Sequence, residues 1–390
     1  MRYDFDTILD RRAPDAVKWA VKDGELPMWV ADMDFRTAPE ILEALQKRLD
    51  HGVFGYSDIP EDWYRAYADW WGGRHGLSME KGQLTFCTGV VPALSSIVRK
   101  LTTPNENVLI QTPVYNVFWN SIENNGRRVL ESPLRYEGGA YFMDLEDLER
   151  KMADPQTTLM ILCNPQNPVG KIWDRETLAK VGELARRHGV TVVSDEIHCD
   201  ITVPGRDYVP FASASEVCRE ISVTCIAPTK TFNLAGLKTA AVFAADPHLC
   251  HRVRRALNTD EVAEPNAFAC AAAVAAFTKG GPWLEELRAY LGENRRLAGE
   301  YLLKNVPGVV SVPGEATYLL WLDLSGLGCH SREFAGFLRA KTGLFVTAGA
   351  VYGSAGDSFL RMNVACPRTL LEDGLDRLRR GADAWRAERR

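Results

Sequence analysis

The stretch TLMILCNPQNPVGKIWDRETLAKVGELARRHGVTVVSD, residues 158–195, decides the fold. Its first five residues form an apolar run of the length a buried strand needs, and Val190-Thr191-Val192-Val193 near its end is a second, β-branched run. Between them residues 175–188 read as a helix, closed by Gly189 as a helix C-cap should be. Strand, helix and strand in under forty residues make a βαβ unit, which predicts a mostly parallel sheet covered by helices. The alternation starts near residue 83 and continues in strand-like runs at 107–110, 221–225 and 240–243. Upstream, a loop-like acidic arm leads into an extended run at 28–31 and a helix from Pro39, with Ile41, Leu42, Leu45 and Leu49 at helical spacing. Downstream, an Ala-rich buried helix at 267–277 and a long helix at 282–305 precede a second, smaller αβ region. Its strands fall at 318–322 and 359–363 and its last helix at 370–386.

The 390 residues, 46% hydrophobic and 25% charged, allow two or three domains with a sizeable core and exclude a disordered or fibrous chain. Lys and Arg total 46 against 51 Asp and Glu, a net charge of -5 with both signs scattered, so no nucleic-acid footprint is present. Acidic residues occupy the N-terminus where a signal peptide needs a basic and then an apolar segment, so a cytoplasmic protein is expected. The longest strongly apolar stretch is about half of the ~20 residues a membrane span requires. Nine cysteines, an odd number without a Cys-x-x-Cys pair, sit mostly in apolar runs (Cys87, Cys163, Cys225, Cys270) and read as reduced packing residues; neither a disulfide framework nor a metal site is expected.

In open parallel sheets ligands bind beyond the carboxyl ends of the strands. Four such ends carry more than a turn needs: Asn164-Pro165-Gln166-Asn167-Pro168, Ser194-Asp195-Glu196-Ile197-His198, Ala227-Pro228-Thr229-Lys230-Thr231, and Thr88-Gly89-Val90-Val91. Singly, each has a bland reading, since an Asp after a strand is commonly a cap and a Lys is commonly solvated. Together they converge on one crevice suited to an anionic, nitrogen-containing cofactor. A helix start after Gly89 offers free N–H groups to a phosphate. A buried carboxylate holds a heteroaromatic nitrogen protonated, and a desolvated lysine forms a Schiff base. These demands match pyridoxal 5'-phosphate.

At this point the chain resembles the fold-type I, or aspartate aminotransferase superfamily, enzymes that use pyridoxal 5'-phosphate. Within them it is similar to the MalY/PatB-type cystathionine β-lyases, or C-S lyases. The resemblance rests on an ordered set spanning nearly the whole chain: Trp29-Val30-Ala31-Asp32-Met33-Asp34-Phe35, Phe54-Gly55-Tyr56, residues 88–94, 164–170, 194–200 and 227–237, Tyr352-Gly353, and Leu360-Arg361-Met362-Asn363 through Pro367. It implies a three-layer αβα fold with a mostly parallel sheet and a smaller α+β domain. Residues 1–48 would form an N-terminal arm and part of the small domain, 49–285 the large cofactor domain, and 286–390 the small C-terminal domain.

The resemblance also implies roles. Lys230 would be the Schiff-base lysine and proton shuttle, Asp195 the partner of the pyridine nitrogen, Asn167 a donor to the ring's 3-oxygen and Tyr115 the residue stacked on the ring. Val90, Val91, Thr229 and Lys238 would hold the phosphate, and Tyr56 would reach it from a neighbouring subunit, which makes a homodimer the functional unit. Arg361 would bind the α-carboxylate of an amino-acid substrate, with Asn167 and Tyr56 beside it. Two positions depart from the general aminotransferase pattern: His198 stands where many have Tyr, as in the lyase branch, and Lys238 stands in place of the usual Arg. His198 reads either as a satisfied core histidine or as a cofactor contact, and Arg361 either as a structural ion pair or as the carboxylate ligand. Asp32-Met33-Asp34 evokes a phosphatase Asp-x-Asp pair, but Arg36 stands where that motif wants Thr or Val. The aromatic cluster Trp63, Tyr64, Tyr67, Trp70 and Trp71 reads as core or dimer packing. The expected activity is α,β-elimination from L-cystathionine or a related cysteine S-conjugate, giving a thiol, pyruvate and ammonia. The alternatives are an aminotransferase and a non-catalytic regulatory protein that retains the fold.

Overall fold

The computed structural model describes residues 2–12 and 16–389. Met1 and residues 13–15 of the expected arm, and Arg390 of the C-terminal unit, lie outside them. Seven strands, β1 (Leu84–Cys87), β2 (Asn107–Ile110), β3 (Arg128–Glu131), β4 (Thr157–Cys163), β5 (Thr191–Asp195), β6 (Ser222–Ile226) and β7 (Ala240–Phe243), form one sheet in the order β1-β7-β6-β5-β4-β2-β3. The pairings from β3 to β6 are parallel, and β7 runs antiparallel to both its neighbours. Both faces are covered. Along β4, Leu159, Ile161 and Cys163 enter one apolar cluster while Met160 and Leu162 enter another on the opposite face. That two-sided burial is why the strand reads as a continuous apolar run rather than an alternation.

The βαβ unit at 158–195 forms as its sequence dictates. The helix Arg175–His188 starts where the Asp174 carboxylate accepts the Thr177 N–H at 2.7 Å, and it ends at Gly189 in the left-handed conformation, φ 70°.

A second sheet, β8 (Val310–Ser311), β9 (Leu319–Asp323), β10 (Thr347–Ala348) and β11 (Phe359–Asn363), is antiparallel in the order β8-β9-β11-β10. Helices Ser331–Thr342 and Arg368–Glu388 pack in its core, and so does the chain's beginning: Leu26 pairs with Leu344 in a separate two-stranded sheet, and Leu26 and Met28 are buried in the same cluster. The next helix, Pro39–His51, lies instead against Ala269–Lys279. Gly281–Asn305 joins the two halves, with Trp283, Leu287 and Leu291 in one core and Ala298 and Leu302 in the other. Both expected borders, at 48/49 and 285/286, therefore fall inside helices.

The expected run at 28–31 bonds by its main chain only at Met28, whose N–H donates to the Phe345 carbonyl at 2.8 Å and whose carbonyl accepts the Asn363 N–H at 2.9 Å; Trp29, Val30 and Ala31 differ. Their carbonyl groups accept from side chains instead, which is what draws this segment into the site described next.

Candidate active site

Sheet register assembles the crevice. Cys163 of β4 stands beside Asp195 of β5, and Asp195 beside Cys225 of β6, so the segments that follow these strands leave the sheet side by side. The Asn164 N–H donates to the Asp195 carbonyl at 3.0 Å and the Glu196 N–H to that of Cys225 at 2.9 Å. On the other side, antiparallel pairing of Ala240 with Cys87 puts Lys238 next to Gly89 and the helix Val90–Leu101.

Lys230 lies in the short helix Pro228–Thr231 that follows β6, and its Nζ donates to the Ala31 carbonyl at 2.5 Å. Burial first, and then the Arg361 charge, pull its pKa down to about 8 against the opposing pull of Asp32 and Asp195. Asp195 is 5% exposed and accepts one backbone N–H, from Ile197 at 3.2 Å. Burial pushes its pKa up to about 6, with the Ile197 N–H and the Lys230 charge acting the other way. Among the described residues no cationic side chain lies within ion-pair distance of it. His198 is buried with Nδ1 unpartnered; burial, then Lys230 and Arg361, push it down to about 3, so the ring is neutral. Tyr115 is half-buried, its phenol raised by burial and then by Asp195.

Arg361 on β11 is 5% exposed and has no carboxylate partner among the described residues. Its guanidinium donates to Asn167 Oδ1 at 3.2 Å and to the Trp29 carbonyl at 2.9 Å, lies 4.8 Å from the centre of the Tyr352 ring, and leaves Nε unpaired. With Oδ1 engaged, the Asn167 amide nitrogen remains a free donor. The structural ion pair considered for Arg361 is thus absent, and the large and small units meet at Arg361 and Asn167.

The helix Val90–Leu101 has Gly89 at its N-cap and no side-chain cap, so the N–H groups of Val90 and Val91 are orphan donors at its positive end. Thr229 is buried beside Lys230, and Lys238 is exposed without an ion-pair partner among the described residues. Tyr56 is fully exposed in an irregular stretch together with Val53 and Phe54.

Sequence reasoning missed three contributors. The Trp29 and Ala31 carbonyls orient Arg361 and Lys230, and Tyr318, placed only in a strand, donates its hydroxyl to that same Ala31 oxygen at 3.0 Å. Asp32-Met33-Asp34 is absorbed by salt bridges: Asp34 takes Arg11 at 2.7 Å and Lys18 at 2.7 Å, and Asp32 takes Arg11 at 3.1 Å. No free nucleophile pair remains there. Trp63, Tyr67 and Trp71 are core residues around Phe277.

The model of the family Aminotransferase class I and II matches residues 27–378, and the chain belongs to that family. It is 44% identical to cystathionine beta-lyase PatB of Bacillus subtilis over 96% of this chain and 99% of that one. It is 34% identical to protein MalY of Escherichia coli, over 96% and 97%. The crystal structure of cystalysin from Treponema denticola, which contains a pyridoxal 5'-phosphate cofactor, superposes with a TM-score of 0.95 at 30% identity, covering 98% of this chain and all of that one. The fold is that of the fold-type I enzymes.

Proposed function

We propose that this protein is a carbon–sulfur β-lyase dependent on pyridoxal 5'-phosphate, cleaving L-cystathionine or a related cysteine S-conjugate to a thiol, pyruvate and ammonia. The observation that carries the reading is one crevice holding three charged groups without counter-ions among the described residues: buried Asp195 and Arg361, and part-buried Lys230. An unpaired charge away from water is costly, and three of them converging on one crevice point to a ligand that completes them. The relatives named as cystathionine β-lyases favour elimination over amino transfer.

The donor set fits the cofactor. A cation against Asp195 relieves the burial that raises its carboxyl, which is how that residue would hold a ring nitrogen protonated. The free amide nitrogen of Asn167 would donate to the ring oxygen and Tyr115 would cover the ring. Val90, Val91, Thr229 and Lys238 would bind the phosphate. When bound, pyridoxal 5'-phosphate supplies the electron sink that lets an amino acid lose its α-proton.

The chain's residues do the rest. Arg361 receives the substrate carboxylate, and with Asn167 it fixes the amino acid so that the Cα–H faces Lys230. The Lys230 amine, its pKa drawn down to about 8 by burial, takes the α-proton as the β-thiolate departs, and later returns a proton. Neutral His198 presents an N–H or a lone pair on the same side without adding charge.

The exposed stretch with Val53, Phe54 and Tyr56 supports a homodimer in which Tyr56 serves the neighbouring subunit's crevice. All nine cysteines are free and buried, and among the described residues no helix is long and apolar enough to cross a membrane; both fit a cytoplasmic enzyme. The test is incubation with L-cystathionine and, separately, with an amino acid and a 2-oxo acid. Pyruvate formed without an acceptor is expected; turnover only with an acceptor makes the protein an aminotransferase, and no turnover with no visible cofactor band makes it a non-catalytic relative. Lys230→Ala is expected to lose at least about 10³-fold in pyruvate formation.

A further inference from the structure

Behind Lys230 lies a polar cluster that the site described above does not use. Asp200 is completely buried, yet both of its oxygens are engaged. Oδ1 accepts from Trp70 Nε1 at 3.0 Å and faces His75 Nε2 at 2.8 Å, with Arg74 Nε 3.4 Å away; all three come from the helix Glu61–His75. Oδ2 accepts the Thr231 hydroxyl at 3.0 Å, and Thr231, wholly buried, is the residue after Lys230. The donor atoms of His75, Cys199 and Asp200 lie within 4.8 Å of one another. A metal ion has no seat among them, because the Arg74 guanidinium and the Trp70 N–H already take the oxygen it would need.

We propose that Asp200 is a positioning residue for Lys230, acting through its hydrogen bond to Thr231. The helix Pro228–Thr231 is a single turn and has no side-chain cap at its start, so its own hydrogen bonds fix its rotation weakly. Successive residues take separate anchors: Lys230 the Ala31 carbonyl and Thr231 Asp200, while Thr229 would serve the phosphate in the reading above. The Thr231 bond is the only one of these that exists independently of cofactor and substrate and does not move a proton. It ties the lysine's backbone to a helix more than 150 residues earlier in the chain, whose Trp63, Tyr67 and Trp71 are locked in the core. Asp200 is also two residues from His198, within a turn where the Cys199 N–H bonds the Glu196 carbonyl and the Ile201 N–H bonds that of His198. The Asp200 carboxylate is thus anchored in the same turn that carries His198.

This inference rests on the cofactor reading above, and its test separates the two. Thr231→Val, close to isosteric, removes the hydroxyl from the holoenzyme, and Thr231→Ser keeps it. Thr231→Val is expected to lower kcat for pyruvate formation about tenfold with KM within about twofold, since a misplaced lysine weakens the transition state and not substrate binding. It is also expected to change the visible circular dichroism of the bound cofactor, which reads its orientation, and Thr231→Ser is expected to restore both. Unchanged kcat and circular dichroism in Thr231→Val overturn the proposal, even where the melting temperature falls. Should that variant fail to fold, Thr231→Ala takes its place with the same two outcomes. A wild-type protein that carries the visible band but forms no pyruvate overturns the lyase reading alone, and the circular-dichroism comparison still decides the role of Asp200.

Discussion

Asp34 and Asp195 are the same residue type buried to the same degree, 4% and 5% exposed, in two regions that have opposite electrostatics. Asp34 is saturated: Arg11, Lys18 and the Trp19 indole all donate to it within 2.8 Å. Asp195 takes one long backbone N–H, and its carboxyl is pushed up to about 6. Burial alone does not mark a functional acid. What marks it is burial without a partner, and the same contrast separates Arg11, paired twice, from Arg361, which faces only an amide and a carbonyl.

The contrast breaks if the two acids respond alike to substitution. Asp195→Asn is expected to lower kcat/KM for cystathionine by about 10²-fold or more, the scale of losing an electrostatic stabiliser in a closed site, while Asp34→Asn leaves kcat in folded protein within about threefold. Stability reverses the order. Asp34→Asn takes from buried Lys18 its close carboxylate partner and is expected to destabilise the cofactor-free protein by about 3 kcal/mol, read by urea unfolding.

Arg361→Lys keeps a charge but loses the planar fork, and is expected to raise KM by about tenfold with a smaller change in kcat. One effect has the opposite sign. Asp195→Asn is expected to stabilise the cofactor-free protein by up to about 3 kcal/mol at neutral pH, because a carboxyl whose pKa is raised on folding loses its proton at a cost in the native state. Its penalty is absent below pH 3.8, grows as pH rises toward about 6 and is constant above, so the wild-type and Asp195→Asn melting curves should converge at pH 4.

The sheet was legible because β-branched runs buried on both faces have no other use, and residues 175–188 carry their own cap signals at both ends. The crevice was legible as a set because the polar residues sit directly after those runs, so placing the strands places Asn167, Asp195 and Lys230. The contacts that aim these groups were not legible. Lys230 is steered by a carbonyl 199 residues away and Arg361 by one 332 residues away, and a main-chain oxygen leaves no trace in residue identity. Tyr318 and Asp200 were hidden for a related reason: each reads as an ordinary part of its own segment, and its value appears only when distant segments meet. The run at 28–31 was legible as extended, but not that the carbonyls of Trp29, Val30 and Ala31 would serve side chains, because a backbone that feeds side chains has the same apolar pattern as one that feeds a neighbouring strand.

The helix Gly281–Asn305, about 37 Å long at 1.5 Å per residue, is buried in one core at its start and in the other near its end. It works as an axle rather than a tether. Because the same rod is built into both cores, neither half can lose its packing without disturbing the other, and heat should melt both in one cooperative step.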